Sequence, residues 1–162
     1  MKAIIKFEHP MLGHRIEFTG QAWRLMNNYM QSWPWNKEAG GQMFGQANGY
    51  TLIVEEASGP RRDDVRTRGS FEIDPIAAAN EIKERRVKGL IYLGDWHTHP
   101  EDYAKPSDQD RMNAAKLMKG APQNPFLLLV IVGNRDTYVG VYNERSLLRL
   151  KRVPGPPRPW WL

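Results

Sequence analysis

The chain has 162 residues with 14 Gly, 12 Pro and no Cys, a length suited to one domain, and the lack of thiols excludes disulfides, cysteine nucleophiles and Cys-ligated zinc. Apolar residues make up 41% and charged residues 25%, a balance that excludes a wholly disordered chain. Lys plus Arg outnumber Asp plus Glu by 23 to 18, a net charge of +5, which favours acidic partners without naming one.

Residues 2–7 and 14–18 alternate apolar and polar side chains across a turn containing Pro10 and Gly13, the pattern of two short strands. Thr19 then has the character of a helix N-cap. Trp23, Met26 and Met30 follow at helical spacing and Pro34 lies just beyond, so a helix over 20–32 is expected, its apolar stripe turned to the core. Segments 41–47 and 50–57 flank Asn48-Gly49, a dipeptide that readily takes the positive φ angles of a hairpin turn.

The stretch 58–69, SGPRRDDVRTRG, is almost free of apolar residues and reads as an exposed loop. Its arginines, Arg61, Arg62, Arg66 and Arg68, are candidates for steering an acidic partner. A strand at 70–73 leads to Asp74-Pro75, a cap and first-position pair for a helix reaching Lys88, where Gly89 ends it. A strand at 90–96, a helix from Ser107 to Gly120, and strands at 126–132, 137–142 and 147–153 complete the pattern. The fold class is α/β in the α+β sense, a mixed sheet flanked by helices, in one domain over 1–153.

Residues 154–162 are rich in Pro and Trp and form a tail, with Trp160 and Trp161 expected to fold back over apolar surface. The longest apolar run, Phe126 to Val132, is too short to cross a bilayer. The first residues lack the apolar region of a secretion signal, so a cytoplasmic protein without membrane attachment is expected.

The chemistry concentrates in GDWHTHPEDYAKPSDQD, Gly94 to Asp110. His97 and His99 end a strand two residues apart and so share one face, with Trp96 and Thr98 turned the other way into the core. Two imidazoles on one side of a rigid strand can hold one metal ion. Asp110 is the candidate third ligand, because Pro106 breaks the extended run, Ser107 caps the next helix, and the residue three later projects back from its first turn. Two imidazoles and one carboxylate leave a tetrahedral position for water, whose pKa zinc would lower towards ~7. A general base is still required, and Glu17, Glu38, Glu55 and Glu56 all have suitable chemistry. His14, far upstream, reads as a surface or strand histidine.

An isolated H-x-H is often incidental and S-x-x-D alone is an ordinary capping box. Joined as H-T-H-x7-S-x2-D they use scarce residue types at fixed spacing from a strand end to a helix start. This string resembles the signature of the JAB/JAMM (MPN-plus) zinc metalloproteases, matched at His97, Thr98, His99, Ser107 and Asp110. The resemblance implies a curved mixed sheet of MPN/JAB, cytidine-deaminase-like architecture and one Zn2+ per chain on His97, His99 and Asp110. Lys37 to Gly45 is similar to the family's segment before a Gly-rich strand, which implies Glu38 as the base. Ser107 would, by the same likeness, hold the oxyanion as well as cap the helix.

Catalytic members of the family hydrolyse the amide or isopeptide bond after a ubiquitin-like C-terminus. Size and general pattern resemble the small bacterial JAB isopeptidases of CBASS-type antiphage systems. The implied partner is a protein with an extended C-terminal tail joined to a Lys or a peptide, such as a cyclic-nucleotide synthase, with the tail bound as an added strand. A sulfur-carrier-processing JAB peptidase would use the same metal site. A RadC-like, DNA-associated protein is the other alternative, although its H-N-H-P-S-G string is absent, and nucleic acid is not the expected partner.

Overall fold

Alternation near the N-terminus produces β1 (Ala3–Glu8) and β2 (Arg15–Thr19), an antiparallel pair. The computed structural model describes residues 3–120, 126–143 and 146–155. Thr19 caps α1 (Gly20–Asn27), its hydroxyl accepting the Ala22 amide at 3.2 Å. The helix stops at Asn27 rather than at residue 32. Asn27 turns its side-chain amide onto the Trp23 carbonyl, and the amides of Tyr29 and Met30 bond only three residues back, tightening the chain out of α geometry.

β3 (Gly40–Asn48) and β4 (Thr51–Ala57) form the expected hairpin, with Gly49 at φ 61°. The Arg-rich stretch is not loop throughout. β5 (Val65–Arg66) pairs with β6 (Phe71–Glu72), a ribbon closed by the Thr67 amide on the Ser70 carbonyl at 2.9 Å. Asp74 caps α2 (Pro75–Val87) by accepting the Ile76 and Ala77 amides, and Gly89 leaves it at φ 82°. β7 (Ile91–Thr98), α3 (Asp108–Gly120), β8 (Leu127–Val132) and β9 (Thr137–Tyr142) follow.

The strand expected over 147–153 is two strands on opposite edges of the sheet. β10 (Leu147–Arg149) pairs with β9, whereas β11 (Lys151–Arg152) pairs with β1. Between them Leu150, 3% exposed, donates its amide to the Val139 carbonyl at 2.8 Å. One short segment thus bridges both margins of a curved nine-stranded sheet of order β10-β9-β8-β7-β3-β4-β2-β1-β11. Of the tail, only Pro154 and Gly155 are described; Trp160 and Trp161 lie outside the described residues. Among those residues no helix is long and apolar enough to cross a membrane.

The main core lies on one side of the sheet with α1, where Ala22 and Met26 meet Phe18, Val54, Trp96, Val130 and Val132. α2 and α3 pack on the other side, against β7 and against β8 and β9. β8 is parallel to β7 and apolar on both faces, Leu128, Val130 and Val132 on one side and Leu129 and Ile131 on the other, as a strand covered twice must be. In this parallel register His97 stands beside Ile131, which places it on the α3 side, while buried Thr98 stands beside Val132 on the α1 side.

A bulge makes that placement possible. The β3–β7 register shifts between Met43 and Phe44, so Tyr92 and Asp95 share a face and Leu93 turns into the core. Gly94 carries the bend at φ 145°, and a Cβ there would lie 2.0 Å from the Leu128 carbonyl oxygen. Gly94→Ala is expected to cost about 3 kcal/mol or more, enough to lower Tm by several degrees, as thermal denaturation would read.

Candidate active site

The site sits at the carboxyl end of β7, where β7, α3 and β8 form a parallel strand–helix–strand unit. Ligands settle in such places because strand ends and a helix start open onto one crevice. His97 and His99 reach it from β7 and the residue just beyond it, and the His99 amide is fixed to the Val132 carbonyl at 3.0 Å. Asp110 reaches it from the first turn of α3. Ser107 and Asp110 cap reciprocally: the Asp110 amide donates to Ser107 Oγ at 3.1 Å, and the Ser107 amide donates to Asp110 Oδ2 at 2.8 Å. The serine thereby aims the carboxylate, and its hydroxyl proton is not used in the cap.

The three side chains converge. His97 Nε2 and His99 Nε2 are 3.0 Å apart, His97 Nε2 is 3.1 Å from Asp110 Oδ1, and His99 Nε2 is 3.3 Å from Asp110 Oδ2. Donors about 2.0–2.1 Å from one tetrahedral ion stand roughly 3.3 Å from each other, so this spacing fits a shared metal. Two imidazole nitrogens and a carboxylate oxygen also suit a first-row divalent ion. The Asp110 carboxyl is held far below the usual range; burial opposes this, but the two histidines and the Ser107 amide prevail. Burial alone would lower the His99 pKa, yet hydrogen bonds that the ring donates to the Asp110 and Glu101 carboxylates raise it in the metal-free protein.

Glu101 was not legible as part of the site. Its Oε1 lies 3.0 Å from His99 Nδ1, and a proton held there leaves the lone pair of Nε2 free for a metal. Glu101→Gln should weaken metal binding by about 10- to 100-fold, measured by competition with a chromophoric chelator.

Glu38 precedes β3, where the antiparallel register sets Gly40 opposite His97 and so carries Glu38 towards His99. It is 5% exposed and lines the same cleft as His97, His99, Ser107 and Asp110. Burial raises its pKa, and the nearby histidines only partly offset that, which moves a carboxylate towards the range useful for a base. Glu17 is paired with Lys6 and Glu56 with Arg85, and neither these nor Glu55 line the cleft. His14 contacts Tyr50 and Phe126 away from it.

Main-chain contacts hold Glu38 in place. Its amide donates to the Thr67 carbonyl and its carbonyl accepts Arg66 Nε, both at 2.7 Å. Buried Gln31 accepts the Thr98 hydroxyl at 2.8 Å, and that hydroxyl accepts the Ala39 amide at 3.0 Å. A side chain from the loop after α1 thus ties the Glu38 segment to the histidine strand. Below His97, Asp95 accepts the Tyr92 hydroxyl at 2.7 Å, and desolvation pushes its carboxyl up to about 6.

The four arginines have different surroundings. Arg61 is held by Glu81, Gln42 and Ser58, with its side chain 16% exposed. Arg66 braces Glu38, Arg68 donates to the carbonyls of Trp33 and Pro34, and Arg62 is exposed. The cleft itself measures about 1260 Å³, and Phe71, Ile73, Ala114 and Leu117 are among the apolar residues that line it.

A family model for prokaryotic homologs of the JAB domain matches residues 24–148. The chain is 31% identical over 130 residues to an Escherichia coli (strain TW11681) protein named CD-NTase/cGAS isopeptidase, covering 78% of this chain and 81% of that one. A Vibrio cholerae serotype O1 protein of the same name is 33% identical over 133 residues, with 80% and 83% covered. A probable metalloprotease, y4qB, of Sinorhizobium fredii is 29% identical over 124 residues, covering 68% and 75%. The solution structure of protein DSY2949 from Desulfitobacterium hafniense has the same fold, with a TM-score of 0.62 at 22% identity over 83% of this chain and 88% of that one. The His-His-Asp cluster at the end of β7 thus sits in a chain that belongs to the prokaryotic JAB-domain family, hydrolases of the metalloprotease type.

Proposed function

We propose that this protein is a zinc-dependent isopeptidase that hydrolyses the amide bond after an extended protein C-terminal tail and so reverses a bacterial ubiquitin-like conjugation in antiviral (CBASS) signalling. The observation that carries the reading is the convergence of His97, His99 and Asp110 on one point of a cleft that Glu38 also lines. The relatives named CD-NTase/cGAS isopeptidase support a conjugated cyclic-nucleotide synthase as substrate.

His97, His99 and Asp110 would hold the zinc, which would supply Lewis-acid chemistry that makes water a nucleophile near neutral pH. The protein's own groups do the rest. Glu38 accepts the proton of the attacking water and delivers it to the departing amine of Lys or of a peptide. Ser107 Oγ–H, free of the cap, donates to the oxygen that gains charge as the carbonyl becomes tetrahedral. The tail lies extended along the cleft, paired through its backbone, because only a slim chain brings its carbonyl to the metal ligands.

The test is incubation of the zinc-loaded protein with a cyclic-nucleotide synthase joined through its C-terminus to a Lys side chain, followed by mass spectrometry. Release of the synthase with its native C-terminal carboxylate is the expected result. Cleavage inside unrelated folded proteins, with the conjugate left intact, would point to a general peptidase.

A further inference from the structure

Trp33 and Trp35 are not accounted for by the core. They are 59% and 73% exposed, and their rings stack with centroids 5.3 Å apart and planes 6° apart. The loop that carries them is nonetheless firmly held. The Trp33 amide donates to Asn36 Oδ1 at 2.9 Å, and the Asn36 amide returns to the Trp33 carbonyl at 3.0 Å. Arg68 donates to the carbonyls of Trp33 and Pro34, and Gln31, 2% exposed, donates to those of Asn36 and Arg68.

Two large apolar rings fixed in water are unfavourable unless some state covers them, and fixing them beforehand lowers the entropy lost when that happens. Their position says what the cover is. Only Asn36 separates the second tryptophan from Lys37 and Glu38, and Arg68, which braces the loop, leads straight into Gly69, Ser70 and Phe71, which line the cleft. The platform is therefore tied to the edge of the cleft by two short stretches of chain, through Asn36 and Lys37 to Glu38 and through Arg68 to Gly69. Exposed Lys37 and Arg68 flank it with positive charge, so it fits a protein surface that is apolar at its centre and acidic at its rim.

We propose that Trp33 and Trp35 form a docking platform for the folded body of the protein whose tail occupies the cleft, an inference that rests on the function proposed above. Tail and body then bind as two linked contacts, each raising the effective concentration of the other. A flexible tail alone uses only the first.

The experiment compares two substrates for the zinc-loaded enzyme and its Trp33→Ala/Trp35→Ala variant: the full synthase conjugate, and a short synthetic peptide of the same tail joined to Lys. The expected result is a KM for the conjugate raised at least about tenfold, with kcat unchanged and cleavage of the peptide unaltered. Equal loss on both substrates, or no loss on either, would overturn the platform. So would a concentration-dependent dimer of the unaltered enzyme that the variant lacks in light scattering, since the occupant would then be a second copy. Trp fluorescence quenched by single-stranded oligo-dT in the unaltered protein and not in the variant would replace the protein partner by nucleic acid. Failure of the unaltered enzyme to cleave either substrate would overturn the proposed function, and the platform with it.

Discussion

His97→Ala should take bound metal from about one ion per chain to none after gentle purification and remove turnover with it, as elemental analysis and a cleavage assay would show. Its Nε2 stands 3.0 Å from that of His99 and 3.1 Å from Asp110, so its loss leaves a two-ligand site that binds far more weakly. Full occupancy in the variant would remove His97 from the ligand set. The metal-free and metal-loaded proteins should also differ in how their stability depends on pH. In the metal-free protein the His99 pKa is raised, so its contribution is present below about pH 6.5 and is lost as pH rises through the folded value. Asp110 is shifted down, so its contribution is present above about pH 3.9 and fades as pH falls through its lowered folded value. Bound zinc would reverse the first of these. It binds only unprotonated imidazole, so stability at fixed zinc should rise with pH across the range where the metal-free protein loses it. Thermal denaturation with and without chelator between pH 5 and 8, roughly centred on the histidine range, is the measurement. Curves of the same sign would contradict the ligand assignment.

Glu38→Gln should keep the metal and the fold while lowering kcat by at least about 100-fold, the usual effect of losing a general base. The glutamine preserves shape and the backbone contacts to Thr67 and Arg66, but it cannot accept a proton. Substrate binding should survive, so KM should change little and the variant should capture an uncleaved conjugate. Normal turnover in this variant would move the base elsewhere. Asp95 would then be the next carboxylate to alter, since it lines the same cleft on the face of β7 that carries His97.

The candidate metal ligands and the proposed base differ in how far local pattern reveals them. The spacing of His97, His99, Ser107 and Asp110 was legible because strand alternation and the geometry of a capped helix act over a few residues, and only the short connection 99–107 separates the two elements. Thr19, Asn48-Gly49 and Asp74-Pro75 were legible for the same reason, each being a local solution to a local hydrogen-bonding need. Glu38 was separable from Glu17, Glu55 and Glu56 only by its resemblance to a family segment. The pairing of β3 with β7 brings it to the histidines, and no local preference encodes that pairing.

What composition and periodicity determined by themselves was a one-domain mixture of strands and helices with a metal-binding motif at the junction of a strand and a helix. The tertiary structure decided the rest. It split residues 147–153 between the two margins of the sheet, because curvature brings those margins within one short segment of each other. It ended α1 at Asn27 and freed Gln31 to join Thr98 across 67 positions of chain. It turned Arg61 inward onto Glu81 and Arg66 onto the Glu38 backbone, where a charge run had suggested a solvated loop. Turns, caps and alternation follow from the nearest neighbours in the chain, whereas the partner of a buried polar group is whichever group packing delivers to it.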